Sequence, residues 1–323
     1  MKILVTGGAG FIGSNFVHYL LKKHPDYEIV VLDKLTYAGR KENLQDIWDK
    51  ITFIKGDIAK KEDVEHTIKN CDYIVNFAAE THVDRSILEA GTFVLTDVLG
   101  VYNLLEASRR FNISRFEQIS TDEVYGHIQT GSFKETDKLC PRNPYSASKA
   151  AAELLCQAYF ETYSLPMIIT RSSNNYGPHQ HPEKLIPKTI IYALLNRPIP
   201  VYGKGENIRD WLYVEDNCEA IDLVLNAGKS GEVYNIAAQQ ELKNLQVVKT
   251  ILKLTNRPES LIEFVKDRPG HDLRYSLCTE KIQELGWRPK IKFREGIEKT
   301  LEWYKRNADW WKPVIKKDQT DFH

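Results

Sequence analysis

The chain has 323 residues, 42% of them hydrophobic, enough for a large core built as one α/β domain or two smaller ones. Lysine plus arginine equals aspartate plus glutamate, 44 against 44, so no global field draws it to nucleic acid or to an anionic membrane surface. No apolar run is long enough to span a bilayer, and "MKILVTGGAG" holds too little apolar sequence for a signal-peptide core. The five cysteines (Cys71, Cys140, Cys156, Cys218, Cys278) are scattered and contain no C-x-x-C pair, which argues against structural zinc and for reduced thiols. These features predict a cytoplasmic protein.

Along the chain, "KILVT" (2–6), "EIVVLD" (28–33), "ITFIKGD" (51–57), "DYIVNFA" (72–78) and "FEQIS" (116–120) read as strands. Helical patterns such as "IGSNFVHYLLKKH" and "TFVLTDVLGVYNLLEASRRF" separate them. Continuous rather than alternating apolar strands, joined by helices, predict a Rossmann-like, doubly wound parallel α/β sheet covered on both faces. After "MIITRSSNNYGP" (167–178) the sequence turns to prolines, loops and shorter helices. That predicts a dinucleotide-binding domain over 1–176 and a smaller C-terminal, substrate-binding lobe over 177–323. "VYNIA" (233–237) reads as a strand returning to the first sheet, so the two are interleaved.

"TGGAGFIGS" follows the first strand and opens the first helix, with Gly7, Gly10 and Gly13 in G-x-x-G-x-x-G spacing. Such a loop brings backbone amides close to a pyrophosphate at a helix N-terminus. Asp33 ends the second strand, where an acid accepts hydrogen bonds from a ribose diol and repels a 2′-phosphate, so NAD is expected over NADP. Lys34 next to it weakens that preference a little, and Asp57 and Ile58 end the third strand within reach of an adenine.

"STDEVYGH" places Asp122 beside Glu123 where a buried strand ends. Taken alone, such a pair reads as a solvated turn. In "PYSASK", Tyr145 and Lys149 are four apart and share one helical face. A nearby ammonium, helped by a cationic nicotinamide ring, would lower the phenol's pKa and make it a base for a sugar hydroxyl.

With "FAAETHVDRS" and "SSNNYGPHQHPEKLIP", these motifs resemble the extended short-chain dehydrogenases/reductases, and within them the dTDP-glucose 4,6-dehydratases. The resemblance implies a lyase that oxidises the sugar at C4, eliminates water across C5–C6 and returns hydride to C6. The product would be a 4-keto-6-deoxy sugar nucleotide, a precursor of deoxysugars such as rhamnose. By the same resemblance Thr121 orients the sugar, Asp122 is the general acid, Glu123 the general base, and Tyr145 with Lys149 serves the oxidation. It extends the NAD set to Phe11, Ile12, Ala78, Ala79, Thr96 and Asn175. It assigns the nucleotide sugar to Thr81, Asn174, Lys184, Leu185, Pro200, Tyr202, Arg209, Asn244, Asp267, Arg268 and His271. Among these, Arg209 has the fork geometry for a pyrophosphate. UDP- or CDP-glucose 4,6-dehydratases remain alternatives. Nucleotide-sugar 4-epimerases share the threonine, tyrosine and lysine but usually lack the Asp-Glu pair. The family also implies a homodimer through the helices at 92–111 and 145–163, with Val94, Val98, Val101, Leu105, Leu154, Leu155 and Tyr159 as candidate contacts.

Overall fold

A computed structural model describes residues 1–267 and 271–320. The apolar runs that lack alternation become the interior of a parallel sheet. Its strands are β1 (Lys2–Thr6), β2 (Glu28–Asp33), β3 (Thr52–Lys55), β4 (Tyr73–Asn76), β5 (Arg115–Thr121) and β6 (Met167–Ser172), joined by a seventh from the C-terminal half. The remaining strands are β7 (Asn174–Tyr176), β8 (Ile199–Tyr202), β9 (Ile208–Tyr213), β10 (Val233–Ile236), β11 (Glu241–Lys243) and β12 (Ile262–Val265).

The seven-stranded order is β10-β6-β5-β4-β1-β2-β3, and every neighbouring pair is parallel. The chain moves outward from β1 to β3, then crosses back to β4. That reversal opens a crevice at the carboxyl ends of β1 and β4, where open α/β sheets bind ligands. Both faces are covered because both are apolar. Ile3, Val5 and Val31 pack with Phe16, Val17 and Leu20 of the Phe11–Lys23 helix and with Ile221 and Val224 of Val214–Ala227. Leu4, Val30 and Ile74 pack on the other face with Leu104 of Gly100–Arg110 and Ala152 and Cys156 of Pro144–Tyr163. Each of the larger aliphatic and aromatic side chains among these contributes roughly 1.5–3 kcal/mol by leaving water.

A smaller unit sits beyond the crevice. β7, β9 and β11 form a three-stranded sheet, and β8 pairs with β12. Helices Leu185–Leu194 and Phe293–Arg306 close over it around Tyr176, Ile190, Trp211 and Ile297.

One predicted helix differs. The run over 92–111 is interrupted by a π-helical stretch, Val94–Leu99, before regular helix resumes at Gly100. The wider turn shifts the register, so Thr96 and Asp97 face inward while Val94 and Leu95 are exposed. In consequence Val101 and Leu105, expected on an outer face, lie in the core against the sheet, as does Tyr159 of the Pro144–Tyr163 helix. Val94 and Leu154 are exposed as expected, together with Ile87, Leu88, Leu95, Leu99, Tyr102 and Tyr163.

Candidate active site

The glycine loop is shaped by close approach. Gly7 has φ of +66°, and a Cβ there would stand 2.6 Å from the Ala78 nitrogen. At Gly13 a Cβ would collide with the Gly7 carbonyl oxygen. The Phe11–Lys23 helix starts at Gly10 with no side-chain cap and no acid in its first turn, so its first N–H groups are available to an anion. Asp33, buried at the end of β2, accepts the Ala9 N–H at 2.9 Å and the Leu35 N–H at 2.8 Å. Lys34 is not free to soften the local charge, because its ammonium lies 2.8 Å from the Asp57 carboxylate.

β5 runs one residue further than expected, to Thr121, and Asp122–Tyr125 then forms a 3-10 turn. Thr121 caps that turn: its hydroxyl accepts the Glu123 N–H at 3.3 Å and donates to Asp122 at 3.2 Å. The tight turn replaces strand alternation, so both acids border one cavity. Their environments differ. Asp122 is 3% exposed, and its Oδ2 has no hydrogen-bond partner among the described residues. Burial, with the Glu123 charge beside it, pushes its pKa up to about 8. Glu123 is half-buried and accepts the Asn143 side-chain amide at 3.2 Å.

Asn143 also caps the Pro144–Tyr163 helix, accepting the Ser146 N–H at 2.8 Å in a capping box. That helix presents Tyr145 and Lys149, both buried, into the same cavity. The lysine's ammonium donates to the Ile119 carbonyl at 2.7 Å. The phenol does not behave as expected from Lys149 alone. Burial and then the charges of Glu123 and Asp97 hold Tyr145 well above the usual tyrosine range, against a Thr121 hydrogen bond that lowers it. The lysine's charge is directed to Ile119 and toward Asp97, which leaves the carboxylates dominant around the phenol.

Every residue expected at the dinucleotide lines this one cavity: Gly7, Gly10, Phe11, Ile12, Gly13, Asp33, Lys34, Asp57, Ile58, Ala78, Ala79, Thr96, Tyr145, Lys149 and Asn175. On the sugar side, Thr81, Thr121, Asn174 and Lys184 line it too. The other expected sugar-nucleotide residues are dispersed. Leu185 opens a helix of the smaller unit, Pro200 and Tyr202 lie on β8, and Asn244 follows β11. The Tyr202 hydroxyl reaches Asp84 across the crevice at 3.4 Å, and its ring meets His271 edge-on. His271 in turn contacts Asp267 at 2.6 Å. Arg268 lies outside the described residues. Arg209 is buried 4.2 Å over the Tyr275 ring and donates to the carbonyls of Ile208, Asp272 and Leu273. Its fork is therefore largely engaged, although its charge still acts on Asp122.

Several cavity residues have no short motif. Asp97 is buried and accepts the Glu80 N–H at 2.9 Å and the Ser148 hydroxyl at 2.6 Å. Burial pushes its carboxyl up to about 6. Reading 92–111 as one regular helix hid it, and a carboxylate in an apolar helical run was the only signal. Tyr37, Glu80, His181 and Glu183 also line the cavity. The residues present fit a dinucleotide. The glycine cradle leaves no room for side chains, and the Asn175 Oδ1 and Gln180 Oε1 atoms are buried without partners among the described residues.

Residues 4–300 match the family model described as GDP-mannose 4,6 dehydratase. The chain belongs to this 4,6-dehydratase family, a branch of the extended short-chain dehydrogenases/reductases. Among its relatives is the low-salt glycan biosynthesis protein Agl12 of Haloferax volcanii, 54% identical over 94% of this chain and 98% of that protein. The dTDP-glucose 4,6-dehydratase of Streptomyces niveus is 48% identical over 99% of this chain and 97% of its own length. Among solved structures, the dTDP-glucose 4,6-dehydratase DesIV of Streptomyces venezuelae, crystallised with NAD and dTDP, superposes with a TM-score of 0.95. It is 45% identical, covering 97% of this chain and 100% of that one.

Proposed function

We propose that this 4,6-dehydratase family member removes water from dTDP-glucose, giving the 4-keto-6-deoxy sugar nucleotide, and keeps NAD as a resident cofactor. The observation that carries the reading is the Asp122–Glu123 pair, two adjacent carboxyls of unlike environment in one cavity with Tyr145 and Lys149. Relatives named dTDP-glucose 4,6-dehydratase, similar over nearly their whole length, support it.

NAD, when bound, supplies a cationic acceptor for the C4 hydride and gives that hydride back at C6. Gly7 to Gly13, Asp33 and Asn175 are the groups that would hold it. The chain's own residues manage protons. Tyr145 is kept protonated by burial and neighbouring carboxylates, so it must first give its own proton to solvent, which a positive charge brought beside it would favour; the phenolate then takes the C4 hydroxyl proton, with Lys149 fixed against Ile119 as an auxiliary charge. A ketone at C4 acidifies the C5 proton. Glu123, held by Asn143, is the base that removes it. Asp122, with a pKa of about 8, carries a proton at neutral pH and delivers it to the departing C6 hydroxyl. Thr121 ties the sugar's position to both acids. Each positioned transfer is worth roughly a hundredfold to ten-thousandfold.

Substrate residues Thr81, Asn174, Lys184, Leu185, Pro200, Tyr202, Arg209, Asn244, Asp267, Arg268 and His271 belong to this proposal, as does the division into a dinucleotide part (1–176) and an interleaved sugar-nucleotide part (177–323). The exposed Leu88, Val94, Leu95, Tyr102 and Leu154 support an isologous homodimer over these helices. Light scattering at micromolar concentration should give twice the chain mass. The five cysteines are unbridged, which supports a reducing, cytoplasmic setting. Turnover assays with dTDP-, UDP-, CDP- and GDP-glucose test the substrate. The reading requires dTDP-glucose to be used best, and a clear preference for another base would replace it.

A further inference from the structure

We propose that Glu183 is a positioning residue whose carboxylate clasps the loop after β2 to the opposite wall of the cavity, slowing cofactor release and fixing Lys184 for the sugar nucleotide. The inference rests on the functional reading above and gives a role to a residue that lies within a quoted motif but had none assigned.

Three separate chain segments converge on this carboxylate. From the loop that follows Asp33, the Tyr37 hydroxyl donates to Oε1 at 3.0 Å. From the turn after β4, the His82 Nε2 lies 3.4 Å from Oε2 and an Arg85 nitrogen 4.0 Å. The His82 Nδ1 accepts the Arg85 N–H, which places the ring proton on the side facing Glu183. From its own segment, the Lys184 ammonium stands 3.7 Å from Oε1 and also donates to the Thr81 carbonyl at 3.1 Å. The Arg85 guanidinium stacks 3.7 Å over the Tyr37 ring, and His181 meets that ring edge-on. The loop bearing Tyr37 is thus fastened twice, by a hydrogen bond to Glu183 and by a cation over its ring.

The charge balance agrees. Burial would raise the Glu183 carboxyl, but Lys184, the two histidines and the Tyr37 hydroxyl hold it below the ordinary range, so it is ionised at neutral pH. Burial pushes both histidines down, His181 to about 4. The Glu183 carboxylate therefore lies between two permanent cations, Arg85 and Lys184, with the Glu80 carboxyl, raised by burial, acting on the same Arg85. Neutralising Glu183 removes the anion shared by Arg85 and Lys184 and weakens the tie to Tyr37. Tyr37, Glu183 and Lys184 all line the cavity that also holds Asp33 and Glu123. A cofactor that finishes each turnover in its starting state gains nothing by leaving, and this clasp ties down the loop that begins just after Asp33.

The test is the NAD off-rate, measured by stopped-flow displacement from loaded protein with no sugar nucleotide present. Glu183→Gln keeps the shape and should raise the off-rate at least about tenfold. Its KM for the sugar nucleotide should rise several times more than kcat falls, through misplaced Lys184. Tyr37→Phe should raise the off-rate less and leave that KM near the parental value. A parental off-rate in Glu183→Gln, or a loss confined to kcat, overturns the clasp. If Glu183→Gln melts too early to load with NAD, Tyr37→Phe carries the test alone, and a parental off-rate there overturns it equally. Failure of the parent to turn over dTDP-glucose would count against the functional reading and leave the off-rate result standing.

Discussion

The two sides of the crevice are built by different means. On the large-sheet side, most functional groups sit at or just after a strand's carboxyl end, from Gly7 after β1 to Asn174 after β6, and Tyr145 and Lys149 come from the helix that follows β5. Parallel pairing in register brings those ends to one line, so residues far apart in the chain share a cavity automatically. On the smaller-unit side, Tyr202, Arg209, Asn244, Asp267 and His271 come from separate strands and loops: Arg209 donates to backbone carbonyls, Tyr202 reaches Asp84, Asp267 pairs with His271, and the buried Asn244 Oδ1 has no partner among the described residues. Chemistry is placed by the regular sheet, whereas recognition of the sugar nucleotide is spread over a less regular frame. Changes on the first side should therefore strike kcat, and changes on the second should strike KM and stability.

The largest effect belongs to Glu123→Gln, which keeps shape and the contact to Asn143 but removes the base. Turnover should fall at least about a hundredfold, and solvent deuterium should enter C5 slowly in a single turnover. Near-normal exchange at C5 would move the base elsewhere. Arg209→Lys sharpens the other side. A lysine cannot stack on Tyr275 and serve three carbonyls at once, so the melting temperature should drop by a few degrees and KM should rise more than kcat falls. A change in kcat alone would blur the comparison.

Asp122→Asn supplies a stability signature of a catalytic site. The folded-state pKa of Asp122 is raised to about 8 from an unfolded value near 3.8, so the folded chain holds its proton more tightly. Its carboxyl is benign at acid pH and increasingly destabilising as pH climbs from about 4 toward 8. The variant should melt above the parent at pH 8, with the margin closing toward pH 4. An unchanged margin across that window would mean that Asp122 titrates normally. The smallest effect is expected for Lys34→Ala. Its half-exposed bridge to Asp57 is worth roughly 0–1 kcal/mol, so NAD affinity should change by no more than about fivefold and the preference over NADP should persist.

Much of the first side was legible in the sequence because its motifs sit where strand meets turn. The Gly7–Gly13 spacing, Asp33 and the Tyr145–Lys149 step each carry their geometry in local spacing. The turn that aims Asp122 and Glu123 into one cavity was readable only as a strand end; the hydroxyl of Thr121 sets its actual shape. Asp97 and the Glu183 cluster were not legible. The first depends on a π turn that shifts a helical register, and the second on three segments meeting through tertiary contacts. Val101 and Leu105 were placed on the outward face of the 92–111 helix for the same reason that hid Asp97, whereas Val94, before the shift, is exposed as expected. Tyr145 differed because local spacing supplies its lysine but not the buried carboxylates around it.

The division of labour between the two acids is tested most directly with a sugar nucleotide carrying fluoride at C6, a leaving group that needs less protonation than hydroxyl. With the natural substrate, Asp122→Asn and Glu123→Gln should both be slowed at least about a hundredfold. With the fluoro substrate, Asp122→Asn should recover most of its loss while Glu123→Gln stays slow. Equal recovery in both variants, or near-parental turnover of the natural substrate by Asp122→Asn, would contradict the assignment of acid and base.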